Sequence, residues 1–473
     1  MKGELWTSAE AARATGGVNT RAWTAIGVSI DSRSVKPGDL FIALAGPNFD
    51  GHEFITAAFN AGAAAAVASR RPAALAAEAS LLMVPDTMAA LEALGRAARN
   101  RSNARFAAIT GSVGKTGTKE ALRLVLSAAG ATAASEGNLN NQWGAPLSLA
   151  RMPRDARYGV FELGMNHAGE IAPLTRLVRP HVAVITTVEP AHLEFFPSLA
   201  AIADAKAEIF LGVEPDGAAV LNRDNVHFER LAQAARAAGI NRIIGFGENE
   251  AAEARLLSCR LDAEASQVEA EILGTRVAYR LTVPGRHIVQ NSLAVLGAAA
   301  LLGIDLHEAA ASLRQVALLK GRGARLVIDT PQGSFTLIDE SYNASPAAMR
   351  AAVAVLGRSL PGKGGRRVAV LGDMRELGVD ADRLHAELAT ALAAASVDLL
   401  FCCGPHMRAL AAATPSNLAV EHAPESNALV PMVLHAVKPG DVVLVKGSLG
   451  SRMAPIVDAL KTLARGSRAA SGS

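Results

Sequence analysis

The chain has 473 residues, half of them hydrophobic and 19% charged, with a formal net charge of +3. That length exceeds one ordinary core and predicts two or three domains, while the small charge and the lack of a Lys/Arg stripe interleaved with aromatics argue against a nucleic-acid surface. Neither the opening "MKGELWTSAEAARATGG" nor any later run has the apolar length of a signal peptide or a membrane span, so a cytoplasmic protein acting on small molecules is expected.

Short β-like runs ("AIGVSI", "DLFIAL", "AAVAS") around the helical stretch "HEFITAAFNAGA" predict a small α/β domain over 1–84. The helical segment "DTMAALEALGRAARN" leads into a second domain, 85–323, where "FAAIT", "YGVFEL", "HVAVITTV", "GAAVLN" and "RIIGFG" alternate with helices as in a mostly parallel sheet. Between about 252 and 284 the pattern changes to antiparallel strands attached to that core. From "GARLVID" the alternation restarts through "FTLIDES", "RRVAVLGD", "VDLLFCCG", "LAVEHA" and "DVVLVKGS", predicting a third, Rossmann-like domain over 324–473 with a frayed tail. The expected fold class is therefore α/β in three domains. Three cysteines, Cys259, Cys402 and Cys403, show neither metal spacing nor a disulfide framework and are expected to be buried free thiols.

The stretch "RFAAITGSVGKTGTKEALRLVL" joins a buried-strand pattern to a helix through a glycine turn, the setting of a phosphate loop. Its residues Gly111, Ser112, Val113, Gly114, Lys115, Thr116 and Gly117 would cradle phosphates, with Lys115 reaching the outer ones and the Thr116 hydroxyl on Mg²⁺. Ile109 stands where the usual G-x-x-x-x-G-K-S/T pattern has its first glycine. The competing reading is a plain turn with an incidental surface lysine. Glu162 closes the strand "YGVFEL" at the sheet's carboxyl edge, where open α/β sheets bind ligands, and is a Mg²⁺ candidate; a strand-end carboxylate capping the next turn is its alternative.

The shortened loop T-G-x-x-G-K-T resembles that of the Mur ligases and the folylpolyglutamate synthetases. "DSRSVKPGDLFIALAGPNFDGHEFI" resembles the UDP-binding segment of Mur ligases, with Ser32, Arg33, Asp50, Gly51 and His52 at its matching positions. "EGNLNNQWGAPLSL", with Asn138, Asn140 and Asn141, and "IDESYNASPAAM", with Asn343 and Ser345, are similar to the Mur branch that adds D-alanyl-D-alanine. The acidic-Tyr-Ala-His and Asp-Asn-Pro-Arg segments of the branch adding the third amino acid are absent. Two stretches depart from the family pattern: Ile288 follows His287 where an Asn is usual, and "VKGSLGSRM" replaces the commoner Lys-Gly-Ser-Arg form.

This resemblance implies a P-loop ATPase as the middle domain and an ATP- and Mg²⁺-dependent amide ligase working through an acyl phosphate. Its substrates would be UDP-N-acetylmuramoyl-tripeptide and D-alanyl-D-alanine, in peptidoglycan precursor synthesis, with no nucleic acid, no membrane span and a monomeric chain. It further implies that Lys115, Glu162, His192 and Lys206 are catalytic, with Thr116, Glu162, His192 and Lys206 at the metals. Lys206 would act as a carbamate, although by sequence alone it reads as an ordinary helix lysine. Asn291 would contact adenine, Arg322 the phosphates and Asp339 the ribose; Asp373, Glu376, Lys446 and Arg452 would form a polar wall for the acceptor, with helix caps and solvated charges as the plain alternatives. Three other readings remain at this point: the ligase for the third amino acid, a folylpolyglutamate synthetase, and a nucleotide-gated binding protein without ligase chemistry.

Overall fold

The computed structural model of the protein describes residues 3–470 apart from 47–48, 74, 191–192, 263–264, 318–320 and 322, and the side chains of 465–470 also lie outside the description. Among the described residues three larger sheets follow one another along the chain, each covered by helices.

The first is five-stranded, with Leu81–Met83, Ala65–Ala68, Asp39–Ile42 and Gly27–Ser29 running parallel and the short Val18–Asn19 antiparallel at one edge. The two central strands, Asp39–Ile42 and Ala65–Ala68, are fully buried runs, as expected where a sheet is covered on both faces. The helix Thr87–Arg101 presents Leu91, Leu94 and Ala98 to Leu40, Ile42 and Val67, and Leu147 and Ala150 join the same core. The hydrophobic core of this sheet therefore runs past residue 84. Asp86 caps the helix, accepting from the N–H groups of Met88 at 2.7 Å and Ala89 at 3.1 Å.

The second sheet is nine-stranded. Seven strands are parallel, in the order Thr132–Ala134, Tyr158–Glu162, Arg105–Thr110, Val182–Ile185, Ala218–Asn222, Arg242–Gly247 and Ala254–Leu261. Ser266–Ile272 and Thr275–Leu281 then continue antiparallel from the last of these, matching the change of pattern near residue 252. The chain leaves Arg105–Thr110 toward one side and later returns to the other, which makes this strand the topological switch point of the sheet.

The third sheet has six strands, ordered Ala324–Thr330, Gly333–Glu340, Val442–Lys446, Arg367–Gly372, Leu399–Cys403 and Ala419–Ala423, with only the first pair antiparallel. The last strand in sequence, Val442–Lys446, inserts between the second and third, so this sheet too has a crevice at its carboxyl edge. Cys402 and Cys403 are buried free thiols, whereas Cys259 is only half-buried, because it lies on an antiparallel strand with one face toward solvent.

Candidate functional site

A cavity of about 1690 Å³ lies between the second and third sheets and takes its lining from both. Its first wall begins at the switch-point strand, whose Ile109 is buried in the sheet; the turn then runs from Gly111 to Gly114, and the helix Lys115–Ala129 follows. Two glycines make that turn possible. Gly111 has φ 145° and a Cβ there would sit 1.9 Å from Thr186 Oγ1; Gly114 has φ 86° and its Cβ would fall 2.5 Å from Asn291 Nδ2. The turn is further tied to the next strand, since Thr186 Oγ1 donates to the Val113 carbonyl at 2.6 Å and Ser112 N–H to the Thr187 carbonyl at 2.9 Å. A glycine turn leading straight into a helix N-terminus is the setting of an anion site. Lys115 stands beside it, its ammonium donating to the Gly111 carbonyl at 2.6 Å.

Thr116 and Glu162 meet behind the turn. The Thr116 hydroxyl donates to Glu162 Oε2 at 2.7 Å, Asn140 Nδ2 donates to Oε1 at 2.8 Å, and Glu162 N–H is bonded to Ser135 Oγ at 3.0 Å. Thr116 and Glu162 are almost fully buried, and parallel register places Glu162 level with Ile109 at the strand ends. A hydroxyl and a carboxylate oxygen next to a phosphate cradle form a hard-oxygen set suited to Mg²⁺, which takes one or two protein oxygens and leaves the rest to phosphates and water. Among the described residues no group of three His, Cys, Asp or Glu gathers elsewhere as an all-protein cage.

Lys206 is not a surface lysine. It sits on the helix Leu199–Ala207 at 2% exposure, and no hydrogen bond or ion pair reaches its ammonium among the described residues. Burial pushes its pKa well down, and the nearby Lys115 charge adds to the effect.

The opposite wall comes from the third sheet. Lys446, 2% exposed, donates to Glu340 Oε2 and to the Asn343 carbonyl, both at 3.0 Å. Asn343 lines the cavity, and so does Ser345, which caps the helix Pro346–Arg358. Asp373, Glu376 and Arg452 also line it; Asp373 accepts from Met407 N–H at 3.0 Å, and both Glu376 (φ 63°) and Arg452 (φ 50°) hold strained left-handed backbones. Glu194 N–H donates to the Glu376 carbonyl at 3.2 Å, joining the two walls.

Several expected residues stand differently. Asp339 is turned away from the cavity: its Oδ1 accepts from Ser341 Oγ at 2.6 Å and its Oδ2 lies 3.8 Å from Lys461 Nζ, while Glu340, one residue on, faces the cavity. Alternation along the strand produces this exchange. Asn141 is a turn former, accepting from Gly144 N–H at 3.0 Å, whereas Asn138, Asn140 and Asn291 are in the lining.

In the first domain Asp50 accepts from both His52 N–H at 3.0 Å and Arg70 Nη2 at 2.5 Å, which hold its carboxyl well below the usual range. His52 Nε2 accepts from Ser69 N–H at 3.0 Å, so Nδ1 carries the proton shared with Asp50 Oδ1 at 2.6 Å. Gly51 fits there because a Cβ would lie 2.5 Å from the Leu44 carbonyl oxygen. Ser32 and Arg33 form a one-turn helix in which Arg33 pairs with Asp31 at 2.6 Å. These five residues lie outside the cavity lining. His192 and Arg322 fall outside the described residues.

Sequence reasoning missed Thr186, Glu189, Asn222 and Asn225, all in the lining and all at or just past the carboxyl ends of Val182–Ile185 and Ala218–Asn222. Reading every polar residue at a parallel-strand end would have found them.

Comparison with known proteins decides the family. The model described as "Mur ligase middle domain" matches residues 109–299, "Mur ligase, glutamate ligase domain" matches 325–449, and "Mur ligase family, catalytic domain" matches 25–101. The chain belongs to the Mur ligase family. Among curated Mur ligases, the UDP-N-acetylmuramoyl-tripeptide--D-alanyl-D-alanine ligase of Rickettsia prowazekii is 35% identical, covering 91% of this chain and 94% of its own. The protein of the same description from Escherichia coli K12 is also 35% identical, over 92% and 93%. Among solved Mur ligases, MurF from Acinetobacter baumannii superposes with a TM-score of 0.84 at 30% identity, covering 97% of this chain and 99% of that one. MurF ligase from Thermotoga maritima in complex with ADP gives 0.76 at 26% identity, over 93% and 98%.

Proposed function

We propose that this protein joins D-alanyl-D-alanine to UDP-N-acetylmuramoyl-tripeptide, driven by ATP and releasing ADP and phosphate. The relatives carry that description, and one observation in this chain supports it most: a phosphate turn backed by the Thr116–Glu162 pair shares a single cavity with the polar third-domain wall around Lys446. Both walls come from one chain, so a monomer suffices. The division of labour follows the family order, with the first domain (1–84) for the UDP-sugar, the second (85–323) for ATP and the third (324–473) for the acceptor. An enzyme that draws on ATP and a nucleotide-linked substrate fits the cytoplasm, and among the described residues no helix is long and apolar enough to cross a membrane.

A carboxylate is a poor electrophile, and converting it to an acyl phosphate requires two crowded anions to approach. The turn N–H groups and Lys115 neutralise charge where it accumulates, and Thr116 with Glu162 would hold Mg²⁺, which supplies further neutralisation of phosphate oxygens. Asn291, against the turn at Gly114, lines the cavity together with His287 and Ile288, and the family resemblance gives Asn291 the adenine contact. Asp339 as a ribose contact requires that its side chain leave Ser341 and Lys461. His192 and Arg322 keep the metal and phosphate roles that the family resemblance implies.

Lys206 fits conversion to a carbamate on two counts: reaction with CO₂ requires an uncharged amine, and burial beside Lys115 favours that form. The resulting anion would relieve the unpaired buried amine and offer oxygen to a second Mg²⁺. The decisive experiment incubates the protein with UDP-N-acetylmuramoyl-tripeptide, ATP, Mg²⁺ and D-alanyl-D-alanine and seeks the pentapeptide product by mass. Folded protein that yields none refutes the assignment, and ATP hydrolysis indifferent to the dipeptide would support a nucleotide-gated binder in its place.

A further inference from the structure

The acceptor dipeptide must attack through a neutral amine, yet an α-amino group titrates near ~7.7 to 8.0 and is mostly protonated at neutral pH. A carboxylate with spare lone pairs near the phosphate turn would relieve it of that proton. Several acidic groups of the cavity are already engaged. Glu162 has one oxygen on Thr116 and the other on Asn140, Glu340 is held by Lys446, Asp373 accepts from Met407 N–H, and Glu120 is paired with Lys119 at 2.8 Å.

Glu189 is different. It is half-buried in the lining, just past the strand that neighbours the phosphate strand, and its backbone is locked to the turn: Ser112 Oγ donates to its carbonyl at 2.9 Å and accepts from its N–H at 3.0 Å. Its carboxylate, by contrast, has a single long contact from Thr187 Oγ1 at 3.5 Å and no ion pair among the described residues. Across the cavity the helix Pro346–Arg358 lines it with four alanines, Ala347, Ala348, Ala351 and Ala352, and then Val355, and the alanines leave room for a dipeptide between the walls.

We propose that Glu189 is the general base of the amide-forming step, taking one proton from the α-ammonium of the incoming dipeptide. This rests on the ligase reading above. In the step, an N–H electron pair returns to nitrogen as the proton passes to the Glu189 carboxylate. The nitrogen lone pair then forms the C–N bond at the acyl carbon, and the C–O bond to phosphate breaks. The second N–H proton leaves with the phosphate, and Glu189 returns its proton to solvent. Burial raises the Glu189 carboxyl above its ordinary range, with the Arg350 charge opposing the rise, which brings it closer to the amine and makes it a better proton acceptor.

The rival role is a strut: Glu189 could serve only to hold Ser112. Glu189→Gln separates the two, because it keeps the backbone bonds and the side-chain size while losing the base. The variant is assayed with D-alanyl-D-alanine and, separately, with hydroxylamine, a nucleophile already uncharged near neutral pH that converts the acyl phosphate to a hydroxamate. A general base predicts a fall of about 10² to 10⁴-fold in kcat for the dipeptide, with hydroxamate formation within a few-fold of wild type. Glu189→Asp, which keeps a carboxylate, should recover part of the dipeptide rate. Equal losses with both nucleophiles, or an unchanged dipeptide rate, overturn the proposal. If wild type forms neither product the ligase reading itself fails, whereas wild type forming both beside a Glu189→Gln enzyme that loses both sinks the base alone.

Discussion

Replacing Lys206 with methionine should make the protein more stable and inactive at once. An ordinary lysine titrates at 10.5, and burial holds the folded amine of Lys206 well below that. At neutral pH the unfolded chain therefore binds a proton that the folded chain disfavours, so folding carries a penalty that is full below the folded pKa and vanishes as pH rises past 10.5. Each unit costs about 1.4 kcal/mol, and the gap between 10.5 and neutrality sets a ceiling of roughly 5 kcal/mol at pH 7. Even a fifth of that, about 1 kcal/mol, moves a melting midpoint by about 2–4 °C in a domain of this size. Lys206→Met, which fills similar space without charge, should thus melt above wild type at pH 7 in CO₂-free buffer, and the difference should close near pH 10.5. Bicarbonate should stabilise wild type and leave the methionine variant unmoved. A variant that melts no higher at pH 7 refutes the buried uncharged amine, and an active Lys206→Arg enzyme refutes the carbamate, since arginine keeps a positive charge and cannot form one.

Lys115→Ala should lower phosphoryl transfer by a few kcal/mol in a folded enzyme, read as ADP release; near-normal turnover would remove Lys115 from the phosphates. Gly114→Ala forces a Cβ into a left-handed backbone 2.5 Å from Asn291 Nδ2, so a loss of about 1–2 kcal/mol and a raised KM for ATP are expected from melting and nucleotide titration, and an unchanged KM would show that the cradle does not bind ATP. Because the proposed contacts come from two walls, ATP with the UDP-substrate should draw the domains together, and a radius of gyration in small-angle scattering that does not shrink counts against closure.

The sheets were readable because buried parallel strands are short apolar runs and the phosphate turn is spelled by its glycines. Glu162 followed from being the last residue of such a run. The exchange of Asp339 for Glu340 shows the limit of that reasoning, since adjacent strand residues point to opposite faces and a register uncertain by one residue inverts the assignment. Lys206 was obscured for another reason. Its helix, "LAAIADAKA", has alanine at five of nine positions and no clear polar face, so the segment itself does not say which side is buried; tertiary packing decides it. Asp50 and His52 are picked out in the sequence by resemblance alone, and only contacts to Ser69 and Arg70, distant in sequence, reveal how tightly they are tied. Thr87–Arg101 reads as a connecting helix, yet Leu91 and Leu94 bind it to the first sheet, which no local pattern specifies.

The cavity also explains why this chemistry suits two sheets rather than one. An open parallel sheet offers a single crevice where its strand order reverses, and a crevice already filled by phosphates has little room for an amine. Here the second sheet reverses at Arg105–Thr110 and delivers the phosphate turn with Thr116 and Glu162, while the third takes Val442–Lys446 between its neighbours and delivers Lys446 beside Glu340 and Asn343. The two carboxyl edges open onto one volume, and the contact of Glu194 with Glu376 joins them at its side. An acyl phosphate formed in that space is exposed to water whenever the walls part and to the amine when they close. Placing Glu189 on the phosphate wall and the acceptor on the other makes proton removal depend on the same approach that excludes water, so the amine becomes nucleophilic only where its target is protected.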